Sequence, residues 1–257
     1  MEKNYLLVAS FIVAILVEVG LPVTLAIVAI KRFKVSGWVI FTGVLTFIAS
    51  QVVHIPLLNG VALLFPKFAP PQIPTWVYAI YLGVMAGLCE ETARLVGFKI
   101  LKGKAKSFAS GLALGIGHGG VESVIVGGLV LFSLISGLTT NSVLQSNQFW
   151  AYPWHLPLAG GLERIMAVTS HLVMTVFVWK AVTSRNYWWY ALAVAFHTAL
   201  DAVAGYCSLV GMAAWAIEGI VGIFFVAALI LLWRFWVTER AKEKAAADVE
   251  LPQPVVE

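Results

Sequence analysis

Residues 5–30 read YLLVASFIVAILVEVGLPVTLAIVAI and carry a single charged side chain, Glu18. A bilayer core about 30 Å thick is crossed by roughly 20 apolar residues of α-helix, so this stretch is long enough to span it. It exceeds the apolar region of a signal peptide, and we expect it to be retained as a transmembrane helix. The rest of the chain has the same character, since 60% of its 257 residues are hydrophobic and 12% are charged. The composition predicts a polytopic membrane protein.

Stretches of this kind recur and predict an all-α bundle of about seven transmembrane helices. Their expected ranges are about 5–30, 37–64, 74–100, 108–136, 160–181, 187–206 and 209–234. Of the 17 basic residues, Arg94 and Arg164 fall within spans. Only Lys3 and Lys67 fall on one side of the membrane, and all the others lie in the alternate loops or at the span ends that adjoin them. Because cytoplasmic loops are enriched in Lys and Arg, this bias predicts an external N-terminus and a cytoplasmic C-terminus in a prokaryotic inner or plasma membrane.

The chain ends in a polar segment that differs from the spans. We assign residues 1–238 to a transmembrane domain and residues 239–257 to a cytoplasmic tail, whose composition predicts disorder. The longest external loop is 137–159, and its tryptophans and tyrosine are suited to the membrane interface. The net charge of +4 reflects the loop bias. We therefore expect contacts with membrane lipids and none with nucleic acid.

Ionisable residues occur inside the predicted spans, where they are costly. Seven of the 13 acidic residues lie there, and three of the five histidines join them in the later helices. They are Glu18, Glu90, Glu91, Glu122, Glu163, Asp201, Glu218, His118, His171 and His197. A charge at the bilayer centre costs at least about 2.5–3.5 kcal/mol on insertion scales. These side chains must therefore face one another or a wet cavity, either as a functional site or as a polar network that only holds helices together.

Depth along the helices places four of these side chains in one layer. At about 1.5 Å of rise per residue, one acid and three imidazoles each lie about 15 Å from the cytoplasmic end of their helix. They are Glu91, His118, His171 and His197. A carboxylate beside histidines in a small wet cavity is the arrangement that activates water. We predict one wet cavity, lined by Glu90, Glu91, His118, His171 and His197.

Spacing within the helices pairs these residues with further charges. Residues four apart share a helix face. The pairs at this spacing are Glu90 with Arg94, His118 with Glu122, and His197 with Asp201. Arg164 and His171 are seven apart and also share a face. Each candidate histidine thus has a charged partner one or two turns away.

The motifs EETAR at 90–94, GIGHGG at 115–120 and HTALD at 197–201 lie in order on three separate spans. This pattern resembles the CAAX-processing and bacteriocin-processing (Abi-like) protease superfamily. More closely, the chain resembles the YhfC family of intramembrane proteases, through GHGGVES, ERIMAVTSH and HTALDAVAG. The resemblance covers most of the spans and implies a glutamate-dependent intramembrane endopeptidase.

The resemblance also implies roles for individual residues. Glu90 would be the general base, with Glu91 as the alternative, and His118 would position the attacking water. His197 and Asp201 would hold the oxyanion, and Arg94 would pair with a glutamate. Asp201 stands where many family members have Asn. An ionised Asp cannot donate to an oxyanion, so it would be protonated, orient His197, or help to bind a cation.

The remaining charged residues of the set are interpreted as supporting ones. Glu122, Glu163 and Arg164 lie toward the outer side, where they can orient His118 and His171. No cofactor is favoured, but His118, His171 and His197 could hold zinc with one coordination position open. A zinc-dependent intramembrane metalloprotease is therefore an alternative.

The expected substrate is a membrane-embedded or lipidated peptide. Two non-proteolytic functions stay open at this point. One is a membrane scaffold, since the anterior-pharynx-defective subunit of γ-secretase is considered distantly similar to the superfamily. The other is a proton-coupled transporter, because buried Glu, His and Asp residues also form proton relays. The paired glutamates argue against the scaffold, and the lack of an internal repeat argues against the transporter.

Overall fold

The computed structural model describes residues 3–101 and 103–250, and every regular element within them is an α-helix. There are eight such helices in the described residues. They are α1 (Tyr5–Phe33), α2 (Gly37–Leu64), α3 (Thr75–Ile100), α4 (Phe108–Thr139), α5 (Val143–Ala151), α6 (Leu156–Ser184), α7 (Trp188–Leu209) and α8 (Ala214–Glu250). The all-helical, polytopic fold predicted from the sequence is confirmed.

Six helices are long and apolar enough to cross a membrane: α1, α2, α4, α6, α7 and α8. Helix α3 has a comparable length of 26 residues, but Glu90, Glu91 and Arg94 lower its hydropathy. Large apolar side chains such as Leu16, Phe132 and Ile223 are exposed, as expected for a surface that faces lipid. The chain is therefore a multi-pass membrane protein. The seventh span and the sides on which the termini lie stay predictions.

Two segments differ from the expected ranges. The external loop 137–159 contains the short helix α5, which begins after Ser142, whose side chain accepts a hydrogen bond from the Gln145 backbone N–H. Helix α8 continues through residues 239–250, which we had assigned to a disordered tail. The sequence there is rich in Ala, Glu and Lys, which favour helix without any tertiary contact. The rest of the predicted tail, residues 251–257, lies outside the described residues.

Glycines allow the helices that carry the site to approach closely. Helix α4 packs on α1, α2 and α6, and α3 packs mainly on α7 and α2. A Cβ at Gly117 of α4 would overlap the Ile40 carbonyl oxygen of α2. A Cβ at Gly83 of α3 would lie 2.6 Å from the Thr198 carbonyl oxygen of α7. These contacts bring α2, α3, α4 and α7 around one buried polar centre. Helix α6 packs on α4 and α3 and closes the remaining side of this centre.

Candidate active site

The adjacent glutamates of α3 both point into the interior. Glu90 is 6% exposed, and Glu91 and Arg94 are fully buried. The Arg94 guanidinium donates to Glu91 Oε1 and places Nη2 3.6 Å from Glu90 Oε2. Because positions 90, 91 and 94 are three and four residues apart, one arginine reaches both acids along the same helix. The arginine therefore pairs with both glutamates, whereas the sequence led us to expect one.

His118 of α4 is fully buried and contacts Glu90. Its Nε2 lies 3.1 Å from Glu90 Oε2, and its Nδ1 lies 2.9 Å from Thr46 Oγ1. The Thr46 hydroxyl donates to the Gly43 carbonyl oxygen at 2.7 Å. Because its one proton is used there, the hydroxyl oxygen accepts from Nδ1–H of His118. The lone pair of Nε2 then faces Glu90 Oε2, and two acceptor atoms at this distance must share a proton.

His197 of α7 is held by carboxylates at both nitrogens. Its Nδ1 lies 2.7 Å from Glu91 Oε1, while Nε2 lies 3.4 Å from Asp201 Oδ2 and 3.9 Å from Glu90 Oε2. The pairing of His197 with Asp201 at i, i+4 is as the spacing predicted. Asp201 is thus placed to orient His197, one of the three roles we had left open for it.

His171 of α6 connects the centre to a second group of charges. Arg94 donates to its Nδ1. Arginine can only donate, so Nδ1 accepts and Nε2–H faces Glu122 Oε2 at 2.7 Å. Glu122 also accepts from Arg164 Nη1 at 2.9 Å, and Arg164 pairs with Glu163. The charges form a continuous chain from Arg94 to Glu163.

The i, i+4 spacing of His118 and Glu122 was a misleading signal. In the described residues Glu122 pairs with His171 and Arg164 and makes no hydrogen bond to His118. His118 is turned toward α2 and α3, while Glu122 is turned toward α6. Glu122 contacts His171, as we expected. It does not contact His118 in the described residues, and Thr46 bonds the His118 ring instead.

The three imidazoles form one contiguous cluster. The ring centroids of His118 and His171 are 5.6 Å apart, and those of His171 and His197 are 5.7 Å apart. Glu90 Oε2 touches the Nε2 side of both His118 and His197. The common depth estimated from helix rise therefore corresponds to real proximity in the structure.

A polar cavity of about 400 Å³ opens onto this cluster. The charged and imidazole side chains that line it are Glu90, Glu122, Glu163, Arg164, His171, His197, Asp201 and Glu218. Our expectation that Glu91 and His118 also line the cavity is wrong, because both are fully buried behind it. Consecutive helix residues point about 100° apart, so Glu90 and Glu91 cannot both face the same space. Of the two glutamates, Glu90 is the one that lines the cavity.

Two residues at the site, Thr46 and Gln51, were missed by the sequence analysis, and a third, Glu218, was noted only as an acid within a span. Thr46 and Gln51 of α2 are polar groups behind the site, and Gln51 Nε2 donates to Glu90 Oε1 at 3.1 Å. Glu218 of α8 lines the cavity, although no motif supported it. A signal existed on α2, where Thr42, Thr46 and Ser50 form a polar stripe at four-residue spacing.

The spacing of the possible ligand atoms can be compared with the spacing that a bound metal ion requires. Glu90, His118 and His171 each offer a ligand atom, all within 4.8 Å of one another, so Glu90 takes the place that the sequence led us to give to His197. Two ligands of a tetrahedral zinc, at bond lengths of about 2.0–2.1 Å, lie about 3.3 Å apart. The 3.1 Å between His118 Nε2 and Glu90 Oε2 fits this spacing. His171 fits less well, because Arg94 donates to one of its nitrogens and Glu122 faces the other.

The fold and the cluster define a multi-pass membrane protein with a buried glutamate–histidine–arginine centre at the end of a polar cavity. The sequence model of a family described as "YhfC intramembrane metalloprotease" matches residues 13–224. A Bacillus subtilis (strain 168) protein called "Uncharacterized membrane protein YhfC" is 31% identical to this chain. The match covers 90% of this chain and 95% of that protein. The chain belongs to the YhfC family. No solved structure matches it.

Proposed function

We propose that this protein is an intramembrane endopeptidase that cleaves a peptide bond in a membrane-embedded or lipidated substrate. The observation that carries the proposal is the Glu90–His118 pair at the cavity, with Oε2 and Nε2 3.1 Å apart. Both groups can accept a proton, and a polar cavity reaches Glu90. The family's description as an intramembrane metalloprotease supports the peptidase activity and leaves the catalytic type open. The wider placement with the CAAX-processing proteases is a further part of the proposal.

Glu90 is the general base in this mechanism. A water in the cavity gives its proton to Glu90 Oε2, and the resulting hydroxide attacks the carbonyl carbon of the scissile bond. The proton then passes to the leaving nitrogen. Gln51 holds Oε1, and Thr46 holds the His118 ring, so the two accepting atoms keep their positions. Glu91 cannot take this role, because it is fully buried and engaged with Arg94 and His197.

The oxyanion is stabilised by groups on the cavity side of α7. The Nε2 of His197 lies between Asp201 and Glu90, so a proton on this atom has acceptors nearby and faces the cavity. When protonated, Nε2 donates to the oxygen that becomes negative as the carbonyl is attacked. Asp201 then acts through His197.

A metal-dependent form of the same activity is the second candidate, and the proximity of three ligand atoms favours it. Glu90, His118 and His171 would hold the ion. A divalent metal bound there would polarise the carbonyl and acidify water. Against this candidate, the described contacts already place the Arg94 cation beside Glu90 and His171. We therefore favour acid–base chemistry by Glu90.

The test uses the purified full chain in liposomes with a panel of single-span peptides. Mass spectrometry should find cleavage within the membrane-embedded part of at least one peptide, and none with a Glu90→Gln sample. A folded protein that cleaves no peptide of the panel would contradict the protease proposal. If a pH-sensitive dye also detected proton flux in the same liposomes, a transporter would be the better assignment.

A chelator arm decides the catalytic type. Activity that survives a strong zinc chelator supports acid–base catalysis by Glu90. Activity that the chelator removes and added zinc restores leaves the protease in place and assigns the metal-dependent form.

A further inference from the structure

A second cavity, of about 420 Å³, lies between α1, α4, α5 and the start of α6. It shares no lining residue with the active-site cavity. Glu18 of α1 is the one charged residue among those that line it. The proposed peptidase chemistry gives Glu18 no role. The cavity is therefore lined by an acid to which no role has yet been assigned.

Glu18 is buried without a side-chain partner. It is 1% exposed, and neither Oε1 nor Oε2 has a hydrogen-bond partner in the part of the chain that the structure describes. The nearby Ser123 hydroxyl donates to the backbone oxygen of Glu18 and not to its side chain. Arg164 donates instead to Glu122 and Glu163. Burying a carboxylate without donors or a counter-charge is costly, so the cavity should contain a group that supplies a positive charge, with or without N–H donors.

The walls of the cavity favour a cation. Phe11 and Phe149 are stacked with ring centroids 5.8 Å apart, and Phe11 and Tyr152 are 6.4 Å apart. Aromatic faces attract cations within about 6 Å of the ring centroid. The Ser133 hydroxyl donates to the Leu129 carbonyl, which leaves its oxygen as an acceptor. The lining thus offers one negative charge, aromatic rings and an acceptor.

We propose that this cavity binds an ammonium cation, either a primary or a quaternary amine, with its charge against Glu18. A bare divalent ion fits poorly, because calcium takes six to eight oxygen ligands and the cavity supplies few side-chain oxygens beyond Glu18. The volume instead accommodates several heavy atoms. A free small molecule and an ethanolamine or choline lipid headgroup are the two possible sources of this amine, since both present the same chemistry.

Two variants test the site by different routes. Glu18→Gln removes the charge and keeps the shape. Gly160→Leu keeps the charge and fills the space, because a Cβ at Gly160 would lie 3.7 Å from Glu18 Oε1. The matched control is Gly128→Leu on α4, where a Cβ meets nothing within 4 Å and which does not line the cavity.

The measurement is the thermal unfolding of the purified full chain in a non-ionic detergent. Methylammonium, tetramethylammonium or sodium chloride is added at equal ionic strength. A ligand that binds only the folded state raises Tm in a saturable way. We expect this rise with at least one of the two amines and not with sodium. Binding should weaken by about tenfold or more in Glu18→Gln, disappear in Gly160→Leu and stay unchanged in the control.

The proposal is overturned if neither amine raises Tm more than sodium does. It is also overturned if Glu18→Gln and Gly160→Leu both respond like the wild type. Because Gly160→Leu leaves the carboxylate in place, a misfolded Glu18→Gln sample does not remove the test. A repeat in nanodiscs distinguishes the two sources. Ethanolamine lipid that abolishes the response to free amine identifies a headgroup site, and an unchanged response identifies a site for a free amine.

Discussion

Thr46 is expected to control the activity of a histidine that it contacts from the next helix. Its hydroxyl donates to Gly43 and accepts from His118 Nδ1–H, so it fixes which His118 nitrogen faces Glu90. Substitution Thr46→Val keeps the shape of the side chain and removes the acceptor. His118 can then move its proton to Nε2 or rotate. Either change disrupts the pair that takes the proton from water.

The size of the effect follows from the burial of both groups. His118 is fully buried and Thr46 is 6% exposed, so we expect no water to replace the lost acceptor. A buried donor left without a partner costs about 1–3 kcal/mol of stability. Loss of a group that orients a functional histidine typically lowers activity by about 10–100-fold. We therefore expect Thr46→Val to lower the free energy of unfolding by about 1–3 kcal/mol and the cleavage rate by about 10–100-fold.

The assay compares peptide cleavage and thermal unfolding in three variants. Thr46→Ser keeps the hydroxyl and should retain most of the activity. Thr42→Val removes a hydroxyl one turn away that bonds only the Trp38 carbonyl, and it should leave cleavage unchanged. If Thr46→Val cleaves as well as Thr42→Val does, the orientation of His118 by Thr46 is not needed and the reasoning fails.

Three further predictions concern the surroundings of the centre. Arg94→Ala leaves two buried carboxylates uncompensated and should lower the free energy of unfolding by about 3–5 kcal/mol; an unchanged Tm would contradict this. Glu122→Gln should fold normally and lose about 10–100-fold in activity, and a loss as complete as that of His118→Ala would instead place Glu122 in direct contact with the reaction. Gly117→Ala should destabilise by about 1–3 kcal/mol through overlap with the α2 backbone, whereas Gly128→Ala should not, as thermal unfolding of both will show.

The depth of the site along the helices could be predicted from the sequence because helix geometry is regular. A fixed rise per residue converts sequence position into depth, and the cost of burying charge implies that ionisable residues at one depth meet. His118, His171 and His197 were brought together on this basis, and their rings are adjacent in the structure. The same reasoning gave the pairs formed within one helix, such as His197 with Asp201.

The partners formed between helices could not be predicted in this way. Threonines in these helices commonly bond a carbonyl of the preceding turn, as Thr42 and Thr183 do. Nothing in the sequence distinguishes Thr46 from them, because its second bond depends on where α4 lies. Glu122 is the converse case, since spacing paired it with His118 and packing pairs it with His171. Helix rotation decides both outcomes, and the apolar pattern of a membrane helix specifies rotation weakly.

The two adjacent glutamates have separate roles in the proposed mechanism, and substituting each in turn tests this most directly. Glu90→Gln should keep or improve thermal stability, because its amide can donate to His118 Nε2 and accept from Gln51. Its cleavage rate should fall by about 10²–10⁴-fold, the usual contribution of a general base. Glu91→Gln weakens the buried pair with Arg94, so it should lower Tm and reduce cleavage only in part. The measurement is the rate of cleavage of one membrane peptide by each purified variant, taken beside its Tm. A Glu90→Gln protein that is folded and fully active would contradict the central claim.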